Sequence, residues 1–149
     1  FPGGLHFPDK RVLLCALGYE TPRVLEIIRA AEPSRVILLL GTRPTKKEFE
    51  ERNRQAVQEV HGSTGFDISQ VDVSHPDNCL GDLYAILTEL GQPTGIHLAP
   101  FSTKLSCLAM WALWLSDPSI RIWNAQPREY NILDYSKGSA SPRYFRVEW

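Results

Sequence analysis

The sequence predicts an α/β fold: a Rossmann-like, mostly parallel five-stranded sheet of order 3-2-1-4-5 with helices on both faces. Three observations carry that expectation. Strand-length apolar runs alternate with helix-length segments, the βαβ rhythm that builds a parallel sheet. Two of those runs, Arg11–Leu17 (RVLLCAL) and Arg35–Leu40 (RVILLL), are apolar without alternation, as strands covered on both faces are. A third, Phe66–Val73 (FDISQVDV), alternates as a half-exposed edge strand does. With right-handed crossovers, few orders remain, and 3-2-1-4-5 puts the alternating strand at an edge.

The elements follow in order. After the first strand, Thr21-Pro22 reads as an N-cap with proline at the first helical position, opening a helix to Ala31 with Val24, Leu25, Ile28 and Ala31 inward. After the second strand, Thr45 and Glu48 have capping-box spacing, and a polar helix runs to His61 on a stripe of Phe49, Ala56, Val57 and Val60. A third helix, Asp77–Leu90, turns Leu80, Leu83, Tyr84, Leu87 and Leu90 to one side. Gly95–Ala99 (GIHLA) is the fourth strand. The helix after it, Thr103–Ser116, carries Leu105, Leu108, Ala109 and Ala112 on one side and Cys107, Met110, Trp111 and Trp114 on the other. A helix apolar all round is buried all round, so one face is expected on the sheet and the other on a partner. Ile120–Ala125 is the fifth strand, and Arg143–Trp149 a last extended stretch.

Composition narrows the class. At 149 residues the chain is read as one domain, 1–149, large enough to bury a core without disulfides. It begins at Phe1 rather than methionine, as a piece of a longer protein would. A net charge of -1 gives no general affinity for duplex nucleic acid, which a basic surface would supply. Cys15, Cys79 and Cys107 each lie in or beside apolar sequence and read as reduced core thiols, which suits the cytoplasm. The run Leu105–Leu115 is too short to span a bilayer, so no membrane partner is expected.

In this strand order the topological switch point lies between strands 1 and 4, and ligands of open α/β sheets bind there, outside the carboxyl ends. Two loops converge on it: Gly18-Tyr19-Glu20-Thr21 after strand 1, and Pro100-Phe101-Ser102-Thr103-Lys104 after strand 4. Hydroxyls, helix-start amides and the charge of Lys104 suit a phosphate, because a helix N-terminus favours an anion. The structural alternative stands beside it: Ser102 or Thr103 caps the helix and Lys104 is solvated. Arg128 and Tyr130, leaving strand 5 on the same side, are placed to pair with phosphate and to stack on a base, or else belong to a surface loop pinned by Pro127.

Other signatures are missing or weak. There is neither G-x-G-x-x-G nor G-x-x-x-x-G-K-[ST]. His75 and Cys79 have i, i+4 spacing but no second ligand pair, so no metal site is expected. His97, inside strand 4, reads as a core histidine close enough to the pocket to titrate. Glu20 is the one carboxylate placed at the pocket mouth, too little for a catalytic centre, and no cofactor is indicated.

The segments GIHLAPFSTKLSCLAMWALWL and LLCALGYETPRVLEII resemble the ligand loops of CRISPR-associated Rossmann-fold (CARF) sensor domains, where a strand ends in a small-residue turn followed by Thr-Lys and an apolar helix. Pro100-Phe101 departs from the glycines that family often has, and the tail from Tyr130 is unlike a plain sensor core. The resemblance implies an antiviral-defence sensor: a homodimer, joined here through helix 103–116, that binds a cyclic oligonucleotide messenger across its two-fold axis. It implies Gly18, Tyr19, Glu20, Thr21, Ser102, Thr103 and Lys104 as pocket residues, an effector domain or subunit as a further partner, and at most slow cleavage of the ligand. Two other classes remain open: a hydrolase or transferase acting on a phosphorylated nucleoside or sugar, and an assembly module that docks through the tryptophan-bearing helix.

Overall fold

The computed structural model describes residues 11–18, 21–44 and 46–124. Their order is β1 (Arg11–Ala16), α1 (Thr21–Ala31), β2 (Arg35–Thr42), α2 (Lys47–Thr64), β3 (Asp67–Asp72), α3 (Pro76–Glu89), β4 (Gly95–Pro100), α4 (Lys104–Ser116) and β5 (Arg121–Ile122). The five strands form one all-parallel sheet of order β3-β2-β1-β4-β5, a Rossmann-like arrangement.

The two faces of the sheet carry two cores. Strand alternation sends Leu13 and Cys15 of β1, and Leu17 just after it, to one side, against Val24 and Ile27 of α1 and Val57 and Val60 of α2. Val12, Leu14 and Ala16 point the other way, into a core with Leu83 of α3 and Met110 and Leu113 of α4. β1, buried along both faces, is the hub. β3 has Val71 as its buried residue and is otherwise exposed or half-exposed, as befits an edge.

Helix boundaries follow local chemistry. α1 ends where Glu32 adopts a left-handed φ of 44° and Pro33 follows. α2 ends at Gly65, whose φ of 70° is one glycine tolerates best and whose N–H donates to the His61 carbonyl over 2.6 Å. Its N-cap is Lys46, whose side chain makes no capping bond, so the expected Thr45–Glu48 box does not define the start; Thr45 itself lies outside the described residues. α3 is capped by His75, whose Nδ1 accepts from the Asp77 N–H at 3.3 Å.

Several helical faces are rotated from their expected phase. In α1 the buried residues are Val24, Ile27 and Ala31, with Leu25 and Ile28 flanking them. In α3, which packs on α4 as well as on the sheet, Cys79, Leu83, Ile86 and Leu87 are buried, while Tyr84 is exposed with its hydroxyl 2.9 Å from that of Ser116 on α4. α4 is not buried all round. Its inner face runs Ser106, Ala109, Met110, Leu113, cutting across both expected sides, and Trp111 and Trp114 are 41% and 36% exposed. β5 pairs only over Arg121–Ile122, with the Trp123 N–H adding a bond to the Leu98 carbonyl at 2.8 Å; Ala125 and the stretch Arg143–Trp149 lie outside the described residues.

Candidate functional site at the switch point

The chain runs outward from β1 to β2 and β3, then returns to lay β4 on the other side of β1, so the switch point falls between β1 and β4. The two exits meet there. The Phe101 N–H donates to the Ala16 carbonyl over 2.9 Å, extending the ladder past the last strand pair. Beyond it Gly18 lies so close to the β4 exit that a Cβ on it would stand 1.8 Å from the Phe101 carbonyl oxygen and 3.7 Å from the Ser102 Cα. Only glycine permits that approach without moving backbone.

From this contact the chain turns into α4. Thr103 is the N-cap: its Oγ1 accepts from the Ser106 N–H at 3.1 Å, and the Ser106 hydroxyl donates back to the Thr103 carbonyl at 2.8 Å. The Cys107 thiol reaches the Pro100 carbonyl at 3.3 Å, tying the first turn to the end of β4. For Thr103, then, the capping role is realised. Ser102 is half-buried beside it and Lys104 is exposed at the first helical residue. The structure thus sets Gly18 against Phe101 and Ser102, which lead directly into Thr103 and Lys104, with Thr21 opening α1 three residues beyond Gly18. Tyr19, Glu20, Arg128 and Tyr130 lie outside the described residues.

A further residue, passed over in the sequence, serves the same edge. Asn53 of α2 is 1% exposed; its Oδ1 accepts from the Gly41 N–H at 2.7 Å and its Nδ2 donates to the Leu17 carbonyl at 2.6 Å. The signal was available: Asn53 falls at helical spacing inside the stripe Phe49, Ala56, Val57, Val60, and a polar residue in an apolar stripe is buried only with partners.

His97 is 4% exposed in mid-β4 and takes a bond from Trp123, so its role in the described structure is that of a partnered core histidine. Burial, then the charges of Arg121 and Arg11, hold its pKa below the ordinary histidine value. Cys15, Cys79 and Cys107 are free thiols. Burial pushes Cys15 and Cys79 up to about 12 and raises Cys107, so all three stay protonated at neutral pH and are poor nucleophiles. Among the described residues no group of His, Cys, Asp and Glu is arranged to hold a metal ion, and no helix is long and apolar enough to cross a membrane.

Two clefts among the described residues lie away from the switch point. A cleft of about 550 Å³ opens at the amino end of β4, between α3 and α4, with Leu87, Ile96 and Leu113 among its apolar residues and Tyr84, Ser116 and Asp117 among its polar ones. A second, of about 330 Å³, lies against the β3 edge beside Arg35 and Asp67. None of Gly18, Thr21, Ser102, Thr103 and Lys104 lines either. No protein-family model matches the chain, and no curated protein is significantly similar to it.

Proposed function

We propose that the chain is a regulatory domain that binds an anionic nucleotide, of the cyclic oligonucleotide kind, at the carboxyl ends of β1 and β4, acting as a homodimer through α4 and passing its state to an effector domain or subunit. The observation that carries this reading is the junction of Gly18 with Phe101, which sets the end of β1 against the segment that leads into α4. Ser102 and Lys104 flank the Thr103 cap at that helix start, where free amides, the helix dipole and the lysine charge would favour an anion. Phosphate is the anion such a place suits, and an open parallel sheet receives ligands at this edge. Exposed Trp111 and Trp114 on α4 support the dimer, since aromatic residues are favoured at interfaces.

Sensing is favoured over catalysis because the site's described groups stabilise charge but supply no activated nucleophile or proton donor. A thermal-shift screen against linear and cyclic di-, tri- and tetranucleotides, with products followed by chromatography, tests the reading. The expected result is saturable stabilisation by one cyclic nucleotide, reaching about 2.7 kcal/mol at a hundredfold excess over Kd, without fast turnover. Rapid saturable cleavage would make the protein an enzyme; no shift with any nucleotide would overturn the nucleotide reading.

A further inference from the structure

The hydrogen bonds around Asn53 interrupt the sheet in a specific way. In a parallel pair, the carbonyl of one residue accepts from the N–H one position beyond its partner. β1 and β2 pair in the register Ala16↔Leu39, so the next rung would join the Leu17 carbonyl to the Gly41 N–H. The Ala16 carbonyl faces β4, where it accepts from Phe101, so alternation turns the Leu17 carbonyl toward β2, as that rung requires. The rung is not made directly. The Asn53 carboxamide stands within it, accepting from Gly41 and donating to Leu17. Because a backbone N–H only donates and a carbonyl only accepts, these partners also fix which end of the amide is which.

We infer that Asn53 is a positioning residue of the switch-point site: its carboxamide, inserted as a surrogate peptide unit, holds the exits of β1 and β2 one amide apart and so sets where Gly18 stands. Its ligand rests on the nucleotide reading above; the insertion itself does not. An inserted amide costs little while both of its ends are bonded, and it is held by an eighteen-residue helix rather than a loop. The β1 exit is thereby gripped from both sides, by Asn53 at Leu17 and by Phe101 at Ala16.

The experiment uses two variants and two readouts. Asn53→Ala removes the insert and lets Gly41 donate directly to Leu17, closing the ladder by one rung. Asn53→Asp keeps the acceptor for Gly41 but faces Leu17 with a carboxylate, which regains a donor when protonated. In the ligand-free protein, amide NMR of Asn53→Ala should show Gly18 and Thr21 shifted while Gly41 stays protected from exchange. In Asn53→Asp the Gly18 and Thr21 amides should return toward wild-type positions as pH falls through the new carboxyl's pKa. Calorimetry with cyclic tetra-adenylate should show affinity weakened roughly tenfold, about 1.4 kcal/mol, in Asn53→Ala, and pH-dependent recovery in Asn53→Asp that the wild type lacks. Unmoved Gly18 and Thr21 amides in the variant that folds, or equal affinity in wild type and variants, overturns the inference. A wild type that binds neither this nor any other nucleotide overturns the nucleotide reading instead, and the amide shifts then decide the positioning role alone.

Discussion

The Trp123 indole N–H donates to Nδ1 of His97 over 3.0 Å, the two rings lying 5.8 Å apart at 42°. An indole nitrogen can only donate, so His97 accepts at Nδ1 and is neutral, with its proton on Nε2. Protonation at Nδ1 would break the bond and place a cation near Arg121 and Arg11, in accord with the lowered pKa.

Stability should therefore depend on pH through His97. Below the ordinary histidine value near 6.5 the unfolded chain takes up a proton that the folded chain refuses, so stability falls on acidification by up to about 1.4 kcal/mol per pH unit until the folded pKa is reached. Above that window the contribution is flat. Urea unfolding between about pH 5.5 and 7.5 should show the slope in the wild type and lose this component in His97→Gln. Equal slopes in both proteins would assign the acid sensitivity to other groups.

Two glycine substitutions should have opposite signs. Gly18→Ala drives a methyl into the Phe101 carbonyl and should destabilise by about 2–3 kcal/mol, as overpacking does. Gly81, exposed inside α3, has nothing within 4 Å of an added Cβ. Gly81→Ala should stabilise by about 0.5–1 kcal/mol through helix propensity alone. Thermal melts of the pair give the comparison directly.

Stability and binding should separate at the start of α4. Thr103→Ala removes the cap and should cost about 1 kcal/mol of stability, with Thr103→Ser retaining most of it. Lys104→Ala, at an exposed position, should leave Tm nearly unchanged. It should weaken binding of a phosphate-bearing ligand by about 1.5–3 kcal/mol, the range for a charge-assisted hydrogen bond. Unchanged affinity in a calorimetric titration would place the anion elsewhere.

The proposed dimer has its own test. Trp114→Glu puts a charge on the exposed side of α4 without entering the core. Light scattering should find a concentration-dependent dimer in the wild type and a monomer of similar Tm in the variant. A wild type that is monomeric throughout removes the interface.

Sheet order was legible because continuous apolar runs mark two-sided burial and the alternation of 66–73 marks an edge, a signal that does not depend on distant residues. Helical phase was less so. Whether Ile27 or Ile28 faces the sheet depends on a rotation that sequence spacing leaves open by one residue, and Tyr84 lies outside the buried face of α3 with its hydroxyl on Ser116 of α4. At the switch point, position alone pointed to Gly18 and the 102–104 segment, and the structure joins them through Phe101. Sequence offered Ser102 and Thr103 alike as caps, and what it could not display is that Thr103 takes the role, or that Asn53 enters the β1–β2 ladder, since both depend on where a side chain reaches in space.

The pairing of β1 with β4 joins Arg11 to Gly95, more than eighty residues apart along the chain. Contacts so distant are slow to form, because a long loop must close before they reward it. During synthesis, β1, β2 and β3 leave the ribosome well before β4, so β1, a strand buried along nearly its whole length, waits with one edge unpaired. The crevice that later serves as the switch point is thus the seam along which the nascent protein is most open to wrong strand partners, and Asp72 and Gln70 on the outer strand guard the opposite edge, not this one. Chaperone dependence of expression should accordingly track the speed at which β4 is delivered.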